Sequence, residues 1–406
     1  MQERSTKKTV ALIIHKLTSG GAQKILSNLS GYLADEYDIH VIVFDGSTQT
    51  YETQGTLHDL RMPPAGSKAS QALTFCRRLN AVKRIKKEIG ADCSISFLDG
   101  PNLINYFSRS GDKTVLSVRS YLSKTAMPLY RRKYTTYIHN HADSTVAISD
   151  MVEKDLADHF AVRKDKLTTI YNACDVELIQ KLAEEEPVYP FQREDGLFYF
   201  VTVGRLTKAK GHWHLLRAFK KLSEERPNAR LLMVGTGELE EKTKGLVKEL
   251  GLENVVTLTG FQNNPHAIVN RCDAFVFSSI YEGFGNAIVD ALALSKPVVC
   301  SDCFTGPRNI LAPDTPLDKQ TDSIEYAKYG ILVPVGNEEH FNTIDLLTSD
   351  EELLCKAMLE VMGNKELRDQ YSRAAAERAA DFSVKNTKKQ WVDLIESLTG
   401  DLNGKH

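Results

Sequence analysis

The feature that most narrows the fold of this chain is an alternation that runs through it twice. Short runs dense in β-branched and aromatic residues recur as "TVALIIHKL", "HVIVF", "CSISFL", "TVLSVR" and "STVAIS", and again as "FYFVTVGRL", "ARLLMVGTG", "VVTLTGF", "AFVFSS", "KPVVC" and "GILVPV". Runs this short and this apolar read as strands buried on both faces, and the stretches between them carry helical spacing, as in "HLLRAFKKLSEE". Strands alternating with helices imply a parallel sheet covered by helices on both sides. Between the two series, Lys181 to Gly196 ("KLAEEEPVYPFQREDG") holds an acidic cluster, two prolines and no apolar periodicity, which reads as a linker. A length of 406 residues also exceeds one ordinary core. The expectation is an α/β chain of two Rossmann-like domains facing across a cleft, residues 1–185 and 186–383. The last helical stretch, 384–406, is expected to cross back to the first domain.

Composition excludes some functions. The formal net charge of -2 gives no global case for nucleic acid as a partner. No stretch approaches the roughly 18 to 20 apolar residues of a membrane span, and "MQERSTKK" is not the start of a signal peptide, so a cytoplasmic protein is expected. The 7 cysteines sit in apolar or helical surroundings, as reduced thiols do, and Cys300 and Cys303 form a C-x-x-C without the second pair that a zinc site needs.

Chemistry concentrates in the loops that follow the strands. "SSIYEGFGNAIVDALALSKPVV", Ser278 to Val299, is a strand end, a loop and a helix; its Gly283 and Gly285 permit close approach of backbone to a ligand, while Phe284 and Asn286 complete the turn. The same loop also suits a tight turn with a solvated Glu282. "VGRLTKAKGH", Val203 to His212, brings Arg205, Lys208 and Lys210 to another strand end between Gly204 and Gly211, a strong phosphate site or else a solvated basic turn. Gly20 and Gly21 of "SGGA" precede the first helix and suit a phosphate or a close-packed ligand, with a tight packing turn as the alternative. "GTGE", Gly235 to Glu238, is a fragment of a dinucleotide fingerprint without its third glycine. There is no P-loop, no H-E-x-x-H and no Asp-x-Asp pair, so neither a metal nor another cofactor is expected.

Taken in order, "SGGA", "GRLTKAKG", "VGTGELEE", "TGF", "YEGFGNAIVDALALSKPVV" and "TGP" resemble the retaining, nucleotide-sugar-dependent glycosyltransferases of family 4, which have the two-domain GT-B fold. The resemblance implies transfer of a sugar from a nucleotide diphosphate donor, a UDP-sugar in first place, to the hydroxyl of a carbohydrate or lipid-linked acceptor, as in assembly of bacterial surface polysaccharide or glycolipid. It implies that Arg205 and Lys210 bind the diphosphate, Glu282 the transferred sugar and Asp290 the ribose. Backbone near Phe261 would meet the base, and Gly20, Gly21, Gly204 and Gly283 to Asn286 would line the donor. Two departures stand out: Asp290 is one methylene shorter than the family's Glu, and Arg119 in "LSVRSYL" occupies the place of a family His, where it could stabilise charge or orient the acceptor but not act as a base.

The basic stretch around Arg77, Arg78, Lys83, Arg84, Lys86 and Lys87, with "YRRKY" at Tyr130 to Tyr134, suits peripheral contact with an anionic membrane as well as it suits a solvated helix face. Two rival functions share the architecture. A nucleotide-sugar epimerase would need no acceptor, and a non-catalytic two-domain sugar-binding protein would close on its ligand without reaction.

Overall fold

The computed structural model describes residues 7–18, 20–123, 127–337 and 346–400. They form two compact units, one containing the chain up to Ala173 together with the residues from Val384 onward, the other running from Cys174 to Ser383. Two parallel-sheet α/β units therefore stand where two were expected.

In the first unit the order is β1 (Thr9–Ile14), α1 (Gly21–Leu33), β2 (Asp38–Val43), β3 (Thr56–Asp59), α2 (Lys68–Ile89), β4 (Cys93–Phe97), α3 (Asp99–Phe107), β5 (Lys113–Val118), α4 (Leu129–His141), β6 (Ser144–Ala147), α5 (Asp150–Phe160) and β7 (Leu167–Thr169). Its sheet is parallel throughout, in the order β3-β2-β1-β4-β5-β6-β7. The inner strands β1 and β4 are almost wholly buried, which is why they read as unbroken apolar runs. The basic helix starts at Lys68, seven residues before the Phe75 at which its sequence pattern begins, because Ser67 and Ser70 form a capping box there.

The second unit holds α6 (Val176–Ala183), β8 (Phe198–Val203), α7 (His212–Glu225), β9 (Ala229–Val234), α8 (Glu240–Glu249), β10 (Val256–Gly260), α9 (His266–Asn270), β11 (Ala274–Phe277), α10 (Asn286–Ala293), β12 (Val298–Ser301), α11 (Pro307–Leu311), β13 (Glu325–Ala327), β14 (Gly330–Val333), α12 (Ser349–Gly363) and α13 (Lys365–Asp381). The sheet order is β10-β9-β8-β11-β12-β14-β13, antiparallel only at the β13–β14 edge. The final helix, α14 (Val384–Thr399), belongs to the first unit, where Trp391 and Ile395 enter the core beside Phe97.

The division after Ala173 corrects the 185/186 boundary read from composition. Helix α6 buries Ile179 and Ala183 and packs on α9 and α10 of the second unit. The acidic stretch after it is tied down as well: Arg271 Nη1 donates to the Glu185 carbonyl at 3.0 Å, and Arg193 pairs with Asp273 at 2.8 Å. Edge strands β3, β7 and β13 were not legible as strands, being three or four residues long and half-buried or exposed.

Candidate active site

In a doubly wound sheet, ligands bind beyond the carboxyl ends of the strands at the point where the strand order reverses. In the second unit the chain builds outward from β8 to β9 and β10, then returns to place β11 on the other side of β8. The switch point thus lies at the ends of β8 and β11, and the loops that leave those ends are Gly204–Gly211 and Ser278–Gly285. These are the two motifs singled out in the sequence.

The two loops are tied together. Ser278 Oγ donates to the Lys210 carbonyl at 3.0 Å, and the Ile280 amide donates to the Ala209 carbonyl at 2.8 Å. Lys210 Nζ pairs directly with Glu282 Oε1, and Ser279 Oγ donates to the same oxygen at 2.7 Å. The ammonium also lies 4.9 Å from the Phe277 ring centre. A Cβ on Gly204 would stand 3.4 Å from Lys210 Cε, so residue 204 leaves the lysine stem its path along the strand end. Arg205 is exposed, and its guanidinium makes no hydrogen bond or ion pair among the described residues. The site therefore holds one cation neutralised by the proposed sugar-reading acid and one cation open to a ligand.

Gly285 takes a left-handed conformation (φ 100) as the residue preceding α10, and Asp290 follows one turn into that helix from Asn286. Gly283 and Asn286 are half-buried, Phe284 is buried, and Phe284 meets Phe382 edge-on at 5.5 Å. Phe261 follows the carboxyl end of β10, the edge strand of the sheet, and is 66% exposed. "GTGE" is a packing device: a Cβ on Gly235 would come within 2.0 Å of the Gly204 carbonyl oxygen, and one on Gly237 within 2.4 Å of that of Leu206. Cys300 and Cys303 are buried free thiols, and burial pushes both well above the usual thiol range, which leaves them unreactive.

Residues not picked out individually support the loop. Tyr281 forms a β-bridge with Phe304, Thr305 Oγ1 donates to the Glu282 carbonyl, and Gly306 packs against the Phe284 carbonyl. Thr305 holds a φ of 72, costly for a β-branched residue and here positioned beside the candidate acid. The "TGP" triplet was the only sequence signal for this support. Ser279 gave none.

Gly20, Gly21 and Arg119 lie in the first unit; Ser19, the first residue of "SGGA", lies outside the described residues. Gly20 precedes α1, and Gly21 is its first residue. Arg119 follows β5 and is half-buried: Nη2 donates to Asn172 Oδ1, Nη1 to Ser117 Oγ at 3.3 Å, and the guanidinium lies 4.7 Å from the Phe97 ring centre. Burial lowers its pKa to about 9. The basic stretch is divided. Arg77, Lys83, Arg84 and Lys87 are exposed on α2, but Lys86 is fully buried against Asp112 at 2.9 Å, and Arg78 turns inward to the Met62 carbonyl. Lys86 and Arg78 therefore do not belong to a membrane-facing surface. Helical periodicity could have shown the inward turn of Lys86, which shares its side with Val82.

Two family models match the chain, "Glycosyltransferase Family 4" over residues 19–178 and "Glycosyl transferases group 1" over 188–378. An uncharacterized glycosyltransferase of Methanocaldococcus jannaschii is 37% identical over 266 residues, 64% of this chain and 65% of that one, just under two thirds of that relative's length. The N-acetylgalactosamine-N,N'-diacetylbacillosaminyl-diphospho-undecaprenol 4-alpha-N-acetylgalactosaminyltransferase of Campylobacter jejuni is 28% identical over 85% of this chain and 91% of its own length. Among solved structures, that of Anabaena HepE in complex with UDP and glucose superposes with a TM-score of 0.74 at 18% identity, covering 96% of this chain and 100% of that one. Matched in both of its units, the chain belongs to glycosyltransferase family 4 and has the α/β architecture of the GT-B fold.

Proposed function

We propose that this protein transfers a sugar from a nucleoside diphosphate sugar, a UDP-sugar in first place, to an acceptor hydroxyl with retention at the anomeric carbon. The observation that carries the reading is the meeting of Lys210 and Glu282 beside exposed Arg205 at the switch point of the second sheet. A diphosphate entering there takes Lys210 and Arg205 as its counter-charges, and Glu282, released from Lys210, accepts from hydroxyls of the sugar. Asp290 accepts from the ribose hydroxyls. As the glycosidic bond to the β-phosphate breaks, the electron pair passes to the phosphate oxygen. That oxygen takes the proton of the acceptor hydroxyl, whose oxygen bonds the anomeric carbon from the same face. Arg205 and Lys210 stabilise the charge that develops, and no metal is required.

The Campylobacter relative's diphospho-undecaprenol substrate supports a lipid-linked acceptor. Contact with the inner face of a membrane then falls to exposed Arg77, Lys83, Arg84 and Lys87 on α2 and to exposed Leu129 and Tyr130 on α4. No helix among the described residues is long and apolar enough to cross a membrane. The test is hydrolysis and binding of UDP-, GDP- and ADP-sugars by the intact protein, with and without EDTA, beside Arg205→Ala and Lys210→Ala. Turnover of one donor in EDTA, cut by about a hundredfold or more in each variant, is the expected result. Loss of activity in EDTA with recovery in Mg²⁺ overturns the metal-free mechanism, and full activity in either variant overturns the phosphate assignment.

A further inference from the structure

The first sheet has its own switch point, where β1 is flanked by β2 on one side and β4 on the other. A cavity of about 240 Å³ opens there. His15, which follows β1, Phe44, which follows β2, and Gly100, which follows β4, line it from the sheet; Thr74, Phe75 and Arg78 line it from α2. Loops from adjacent strand ends thus converge with a helix face on one hollow, the arrangement that holds ligands in sheets of this kind.

Two side chains in the hollow carry polar atoms that are unpartnered among the described residues, and one of these atoms, Arg78 Nε, is buried. Arg78 donates through Nη2 to the Met62 carbonyl and lies 4.8 Å from the Phe44 ring centre, yet its Nε is buried with no hydrogen-bond partner. No carboxylate lies within ion-pair distance of it among the described residues, Asp45 acting only at longer range. His15 packs edge-on to Phe44 at 5.3 Å, and its ring nitrogens make no hydrogen bond among the described residues. A Cβ on residue 100 would come within 2.6 Å of His15 Nε2, so the imidazole fits only because that residue is glycine. Burial first, then the charges of Arg78 and Lys16, lower the His15 pKa to about 4. At neutral pH the ring therefore offers one donor and one acceptor.

We propose that this cavity is a subsite for a sugar that carries an oxyanion, with the phosphate or carboxylate oxygens meeting the Arg78 guanidinium and a neighbouring hydroxyl meeting the His15 imidazole. An uncompensated guanidinium calls for an anion, and its fork matches paired oxygens. A neutral imidazole beside it reads a hydroxyl, while Phe44 and Phe75 cover the apolar face of a ring. The volume holds one sugar unit. On the glycosyl-transfer reading that unit belongs to the acceptor, but the anion site itself stands on the geometry of the first unit alone.

The test is calorimetric titration of the intact protein with glucose 1-phosphate, methyl glucuronide and methyl glucoside, and of Arg78→Gln and Thr74→Glu with the same probes. The second variant places a charge that repels anions on the lining, one helical turn before Arg78, and keeps Arg78 itself. Binding of at least one anionic probe, tenfold or more tighter than methyl glucoside and lost in both variants, is expected, and the tighter of the two anionic probes identifies phosphate or carboxylate. Equal binding of methyl glucoside, absence of binding by both anions, or anion binding undiminished in a folded variant overturns the proposal. UDP titrated into the same samples reports on the second unit: its failure to bind the unmodified protein counts against the donor reading, whatever the anionic sugars do.

Discussion

Gly306→Ala should disable the donor loop without replacing any residue proposed to meet substrate. A Cβ at residue 306 would lie 1.7 Å from the Phe284 carbonyl oxygen and 2.3 Å from the carbonyl carbon, where real Cβ atoms essentially never approach within 3.0 Å. Both sides of this contact are backbone, so no side chain can swing away, and the two segments must part by more than 1 Å. Residue 306 also has a φ of 88, which costs a residue with a side chain on the order of 1–3 kcal/mol. The segment that moves carries Gly283 to Asn286, and its neighbour Thr305 holds the Glu282 carbonyl. A displacement of about 1 Å at a reacting centre costs roughly a hundredfold in rate. The assay is donor turnover together with thermal melting, with Gly245→Ala as the control. Gly245 lies in α8 with nothing within 4 Å of an added Cβ, and there alanine should stabilise by up to about 1 kcal/mol. A Gly306→Ala protein that melts and turns over like the unmodified one refutes the argument that this contact sets the loop.

Acid should weaken the fold through its buried histidines. His139 hydrogen-bonds Thr145 Oγ1 at 3.0 Å, and burial lowers its pKa to about 4; burial and then Lys210 lower that of His212 to about 3. Both folded values lie below the unfolded value of about 6.5, so the stabilisation is complete above pH 6.5 and is lost as pH falls toward 4 or 3, by on the order of 3 kcal/mol for His139. Urea titrations of His139→Gln should lose about one proton's worth of slope between pH 6 and 4; an unchanged slope removes the assignment. Lys86→Met should cost about 3–5 kcal/mol by leaving Asp112 charged in a site where both side chains are 0% exposed, and adding Asp112→Asn should restore part of that loss. Denaturant midpoints of the two proteins that fall together, with no recovery in the double variant, would show that the pair is not what the site depends on.

The two sheets were legible in the sequence because a strand buried on both faces must be apolar along its whole length. Strands β1, β4, β8 and β11 announce themselves in that way. The loops that carry Lys210 and Glu282 were legible for a related reason: each leaves the end of such a strand, and the carboxyl end of a parallel strand is where ligands bind, while the part assigned to each residue came only from the family resemblance. What the sequence could not carry is any contact between segments far apart along it. The ion pair joining Lys210 to Glu282, the support of Phe284 by Gly306, and the convergence of His15, Gly100 and Arg78 on one cavity depend on strand order, which brings β11 beside β8 and β4 beside β1. The same holds for the basic helix. Composition counts Arg78 and Lys86 with their neighbours, and helical spacing puts Lys86 on the side of Val82, but only the packing of α2 against the sheet and α3 supplies Asn105 and Asp112 as partners for Lys86 and sets Arg78 at the wall of the cavity.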